Sequence, residues 1–167
     1  MLLCKEQGAD LIYTAMLDAK RVIEEDNYTK FPKKISPLVI QLVGGNSETM
    51  GKAAKYITEN NRADIIDVNL GCAEGEILGK KGGCYLMQNE NMLIKLVGEV
   101  IKNTSLPVTA KIRSGWDEQN KNAVKTVKIL EELGVKAISV HPRTRKQGYV
   151  GKADWMIIKQ VKEAVKI

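Results

Sequence analysis

The chain has 167 residues, 44% hydrophobic and 28% charged, an ordinary soluble composition with enough length for one core. No apolar run approaches the ~18 residues of a membrane span, and the start Met1-Leu2-Leu3-Cys4 lacks the basic flank and long apolar stretch of a secretory signal. Cys4, Cys72 and Cys84 form no Cys-x-x-Cys pair, which argues against a disulfide framework or a zinc site and makes a cytoplasmic, metal-free protein the expectation.

The formal net charge of +6 and a pI near 9.2 suit a polyanionic partner. The lysines are scattered over helix faces, however, and a lysine-rich proteome gives the same excess.

In chain order, short β-branched runs predict strands over Leu11 to Met16, Leu38 to Val43, Asp64 to Asn69, Pro107 to Ile112 and Lys136 to Val140. Met50, Ala53, Ala54 and Ile57 recur at helical spacing and predict a helix over Ser47 to Asn60, with Asn46 or Ser47 as its cap. Further helices are predicted over Met92 to Ile101, Ala123 to Leu133 with Gly134 as its stop, and Trp155 to Val165 capped by Asp154. The longest non-helical insertions are read as Asp26 to Ser36 and Cys72 to Asn89.

Repeated strand-then-helix units mean a parallel α/β architecture. Two forms are open to it: a doubly wound sheet, which the length favours, or part of an eight-stranded (β/α) barrel, which the strand tips favour.

Those tips carry the candidate chemistry. Gln41 lies within the second strand, where a buried amide needs partners for both its carbonyl and its NH2, and a flavin or pyrimidine edge can supply them. Asn69 and Cys72 end the third strand in Asn69-Leu70-Gly71-Cys72. Lys111 and Arg113 end the fourth on one face, and His141, the sole histidine, follows the fifth with Arg143. Each has a bland reading alone, as a satisfied core amide, a solvated strand end or a structural histidine. Polar groups at the carboxyl ends of consecutive strands would converge on one pocket in a barrel.

These residues resemble the tRNA-dihydrouridine synthases, flavoenzymes that reduce uridine in tRNA. The matching segments are Gly8-Ala9-Asp10-Leu11, Ile40-Gln41-Leu42-Val43-Gly44, Asp67-Val68-Asn69-Leu70-Gly71-Cys72, Lys111-Ile112-Arg113-Ser114-Gly115-Trp116, Val140-His141-Pro142-Arg143-Thr144 and Gln147-Gly148-Tyr149 through Trp155. Carried over, the resemblance implies an FMN enzyme re-reduced by NADPH. Gln41, Lys111 and His141 would contact the flavin, Asn69 and Arg113 would hold the target uracil, and Tyr149 would lie in the substrate-side loop. Cys72 would be the general acid, since an ordinary thiol keeps its proton at neutral pH.

The chain departs from the family pattern in three ways. Ala73 stands where proline usually follows the catalytic cysteine, and Thr14-Ala15-Met16 replaces a Thr/Ser-Glu-Met ending. The family's first strand, its FMN-phosphate motif and its helical tRNA-binding domain have no counterpart. The expectation is therefore one incomplete FMN-binding barrel over residues 1–167, strands two to six of eight, open to self-association or to a completing fragment. Rival readings are a truncated, non-catalytic remnant of such an enzyme and another flavin-dependent barrel reductase acting on a free pyrimidine.

Overall fold

Alternation within the strands decides how the layers form. In Ile65–Leu70 the side chains of Ile66, Val68 and Leu70 are all fully buried on one side, while Asp67 and Asn69 turn to the other. The same division holds in Val108–Arg113, where Ala110 and Ile112 oppose Thr109, Lys111 and Arg113. One face of the sheet is thus apolar and must be sealed by helices, and the other is polar.

The computed structural model describes residues 1–32 and 35–167. After a short helix α1 (Leu2–Glu6) come β1 (Ile12–Asp18), α2 (Ala19–Glu24), β2 (Leu38–Val43), α3 (Ser47–Glu59), β3 (Ile65–Leu70), α4 (Gly75–Gly79), α5 (Glu90–Lys102), β4 (Val108–Arg113), α6 (Ala123–Glu132), β5 (Ala137–His141) and α7 (Trp155–Ala164). All five strands form one parallel sheet in the order β1-β2-β3-β4-β5. A doubly wound sheet must reverse its strand order at a switch point. This one never reverses, so the fold is α/β with the winding of a partial TIM barrel.

The predicted helices are present, and their ends follow the expected chemistry. The Asn46 side chain caps α3 by accepting from Thr49 N at 2.8 Å, and Asp154 caps α7 by accepting from Met156 N at 3.1 Å. Gly134 follows α6 at φ +97, in the left-handed region where glycine is the natural stop. Met50, Ala53, Ala54 and Ile57 of α3 and Leu93, Leu96, Val97 and Val100 of α5 pack with Ile40, Leu42, Ile66 and Val68 into one core. Each Met, Leu, Ile or Val side chain withdrawn from water there contributes about 1.5–3 kcal/mol. Ile40, Val68 and Ile138 are therefore helix-facing, whereas Ile12 belongs to a smaller cluster with Ile35 and Leu38.

The structure corrects the sequence reading in two places. First, the strand predicted to end at Met16 runs on to Asp18. A bulge between Tyr13 and Met16 inserts a residue, so Met16 and not Ala15 stands opposite Gln41. The Thr14 hydroxyl covers the disruption by accepting from Gln41 N at 3.1 Å. Second, the segments read as non-helical contain 3-10 turns at Asp26–Thr29 and Gly83–Gln88 as well as α4. These pieces are too short to show a helical period, and tertiary burial of Ile77, Cys84, Leu86 and Met87 holds the second group. No helix among the described residues is long and apolar enough to cross a membrane.

Among the described residues, strands β1 and β5 each pair on one side only. Unpaired parallel edges present a row of free backbone groups to any second chain. The chain of residues 1–167 on its own is accordingly expected to gain mass with concentration in multi-angle light scattering. A constant 18.5 kDa species would show that the edges are protected in solution.

Candidate active site

The sheet register sets the polar residues side by side. Gln41 pairs with Asp67, Asp67 with Thr109, Asn69 with Lys111, and Arg113 with His141. Their side chains share the polar face and rise toward the carboxyl ends of the strands. There a cavity of about 450 Å³ is lined by Gln41, Asn69, Cys72, Lys111, Arg113, His141 and Tyr149, together with Met16 and Glu74. The structure thus brings together the residues to which the sequence reading gave flavin, uracil or proton-donor roles, while Arg143 stands outside the lining, beside His141. A neighbouring cleft of about 600 Å³ shares Met16 and Glu74 with it. Most charges of that cleft are engaged in local ion pairs, Lys20 with Glu24, Arg21 with Glu25, and Lys80 with Asp18 and Glu76.

Beneath the cavity runs a line of hydrogen bonds. The Gln41 amide donates to Asp67 Oδ2 at 2.7 Å, and its carbonyl accepts from Asn69 Nδ2 at 2.8 Å. Asn69 Oδ1 accepts from Gly71 N at 3.0 Å and Cys72 N at 2.8 Å. The partners that the sequence reading left for a ligand to supply to Gln41 thus come from the chain itself. One N–H and one lone pair of that amide remain for the cavity. Asp67 is not among the candidates read from the sequence, although its spacing two residues before Asn69 places it on the same face.

Burial raises the Asp67 carboxyl above its ordinary range, opposed by hydrogen bonds from Thr109 and Gln41 and by the Lys111 charge. Burial, then the Arg113 charge, lowers Lys111. His141 is likewise lowered, by burial and by Arg113, Lys111 and Arg143, which favours the neutral ring. Its Nε2 lies 3.4 Å from Arg143 Nη1. Since arginine only donates, Nε2 is the accepting nitrogen and Nδ1 carries the proton.

Arg113 is buried to 5% exposure and ties the loops together. Its Nε donates to Gly71 O at 2.9 Å, and its Nη1 donates to Thr144 O at 3.2 Å and Gly148 O at 2.9 Å. Of its guanidinium nitrogens, Nη2 is the one uncommitted among the described residues. The Thr144 and Gln147 side chains fasten the same loop reciprocally, each accepting from the other's backbone N–H. That loop holds Tyr149 82% exposed, with its ring 5.7 Å from Arg113 Cζ and 6.0 Å from the His141 ring.

Cys72 and Cys84 are close neighbours with different surroundings. Cys84 N donates to Cys72 O at 2.9 Å, and the Cys84 thiol, 1% exposed, donates to Gly71 O at 3.0 Å. Burial pushes the Cys84 thiol up to about 11, so it stays protonated and inert. Cys72 opens onto the cavity. Gly83 lies across the Cys72 backbone at φ +57, where an added Cβ would stand 2.5 Å from Cys72 O. Among the described residues, no group of three His, Cys, Asp or Glu side chains could hold a metal ion.

A family model described as dihydrouridine synthase (Dus) matches residues 1–167. The chain is similar to a probable tRNA-dihydrouridine synthase of Rickettsia bellii, 38% identical over 170 residues covering 99% of this chain and 52% of that protein. It is 33% identical to tRNA-dihydrouridine synthase B of Pseudomonas putida, over 99% of this chain and 50% of the relative. A probable tRNA-dihydrouridine synthase of Rhizobium leguminosarum is 33% identical over 96% of this chain and 51% of its own length. The chain spans about half the length of the curated relatives it matches.

Two outcomes are expected from this geometry. Gly83→Ala should lower stability by at least about 1–2 kcal/mol, the cost of a left-handed backbone alone, with the clash on Cys72 O added. Gly79→Ala, which meets nothing within 4 Å, is the control, and thermal unfolding of the two variants makes the comparison. As the sole histidine, His141 gives one NMR titration, with its midpoint below 6.5 in the folded chain. As pH falls through that window the unfolded chain takes up the proton first, so stability declines.

Proposed function

The chain belongs to the dihydrouridine synthase family, and from that premise we propose that it acts in reducing uridine to dihydrouridine in tRNA, with FMN in the strand-tip cavity and NADPH as the reductant. What supports this reading is the convergence of Gln41, Asn69, Cys72, Lys111, Arg113, His141 and Tyr149 on one cavity. At about 450 Å³ the cavity has the size of a cofactor site, and its lining of amides, cations and a neutral imidazole suits a flavin ring. FMN held there by Gln41, Lys111 and His141 would supply the hydride chemistry that reduction of a uracil ring requires.

The protein's share is binding, orientation and one proton. Lys111 offers a half-buried ammonium to an anionic ring edge, and the same anion would restore the charge that burial and Arg113 disfavour. The spare N–H and lone pair of Gln41 and the Nδ1–H of His141 supply neutral hydrogen bonds beside it. The remaining Asn69 N–H and Arg113 Nη2 donate to the uracil carbonyls, which fixes the ring against Cys72. The Cys72 thiol gives its proton to the fifth carbon, completing addition of hydride and proton across the double bond.

The exposed Tyr149 ring is a flat surface for a base drawn out of its stack. The net charge of +6 favours contact with tRNA phosphates.

Turnover with a uridine-bearing tRNA transcript, FMN and NADPH tests the assignment. Cys72→Ala should lose roughly a hundredfold or more, the scale of a general acid, while flavin content stays at the wild-type level. Cys84→Ala should remain close to wild type. Equal losses in both variants would sink the proton-donor role.

A further inference from the structure

The hydrogen-bond line under the cavity has a direction, and one buried side chain, Asp67, anchors its inner end. Asp67 is 1% exposed, and both of its oxygens are engaged. Oδ1 accepts from Thr109 Oγ1 at 2.5 Å, and Oδ2 accepts from Gln41 Nε2 at 2.7 Å. A carboxylate that accepts on both oxygens offers no donor, so only the NH2 side of Gln41 can face it. The Gln41 carbonyl must then face Asn69 and requires a donor there, which turns Asn69 Nδ2 inward. Asn69 Oδ1 is left facing the loop, where it accepts from the backbone N–H groups of Gly71 and Cys72.

An amide has no intrinsic preference between its two orientations. Reversing both amides would set Asn69 Nδ2 against two N–H donors and leave the Cys72 turn without an acceptor. Neither amide fixes its own orientation: the backbone N–H groups of Gly71 and Cys72 impose the order from the loop end, and the Asp67 carboxylate imposes the same order from the buried end.

We propose that Asp67 is a positioning residue for Cys72: it orients Gln41, Gln41 orients Asn69, and Asn69 holds the backbone that sets where the thiol stands. The significance of this relay rests on the reading of Cys72 as proton donor. Its test uses neither flavin nor tRNA, so failure of either idea leaves the other standing.

The measurement is iodoacetamide labelling of the three thiols in the full chain, read by peptide mass spectrometry, with exposed Cys4 as the internal reference and buried Cys84 as the reporter of an intact fold. In Asp67→Asn the acceptor that imposes the order from the buried end is replaced by an amide able to face either way. Cys72 labelling is expected to rise roughly tenfold, the scale of one lost charge-assisted hydrogen bond, while Cys84 stays protected. The double variant Asp67→Asn with Gln41→Glu moves the carboxylate one place along the line. Asn at position 67 can then donate to Glu at position 41, which still accepts from Asn69, so Cys72 labelling should return to the wild-type rate.

A merely structural role for Asp67 would not be repaired by a second buried substitution. An unchanged or lower Cys72 rate in the single variant would overturn the proposal, as would a double variant that stays fast with Cys84 protected. If the single variant exposes Cys84, the double variant decides alone. Renewed protection of Cys84 with a wild-type Cys72 rate supports the relay, and continued exposure overturns it.

Discussion

A parallel sheet sealed by helices on one face leaves its other face to satisfy itself. Here that face carries Gln41, Asp67, Asn69, Thr109 and Lys111, in-register neighbours across β2, β3 and β4. Buried polar groups are costly unless bonded, so Thr109, Asp67, Gln41 and Asn69 bond one another in a line that ends at the strand tips. The cavity floor is therefore rigid for the same reason that the sheet is stable. A wall of aliphatic residues in those positions would fold as well and would hold nothing.

The charge balance around the cavity follows from that floor. Lys111, Arg113 and Arg143 crowd one side, and Asp67 lies beneath with its carboxylate spent on Thr109 and Gln41. The surplus is positive, and burial first, then these neighbouring cations, favours the neutral forms of Lys111 and His141. An anion placed beside these groups would favour their charged forms. Negative charge developing on a bound ring would be met by groups already in place, without reorganisation.

Two loops close the site, and each is fastened by backbone contacts that no side-chain pattern announces. Arg113 gathers Gly71, Thr144 and Gly148 through their carbonyls, joining the turn after β3 to the loop after β5. Gly83 passes so near Cys72 O that only a residue without Cβ fits, and the adjacent Cys84 N completes the contact. Cys72 is thus held from below by Asn69 and from above by the Gly83-Cys84 turn. Its neighbour Cys84, with the same thiol, is locked away from the cavity by burial.

Local sequence alone determined the alternation that marks the strands, the helical spacing of Met50, Ala53, Ala54 and Ile57, the caps at Asn46 and Asp154 and the stop at Gly134. All of these depend on residues a few positions apart, where chain geometry is fixed. The cluster of polar residues at the strand tips was legible for the same reason, whereas the choice between a doubly wound sheet and barrel-like winding was made by the strand order. Tertiary structure decided the rest: the bulge that brings Met16 to Gln41, the partners that bind Gln41 to Asp67 and Asn69, the commitment of Arg113 to three carbonyls and the different fates of Cys72 and Cys84. Those facts join residues far apart in the chain, and strand register and loop packing, not local propensity, bring them into contact.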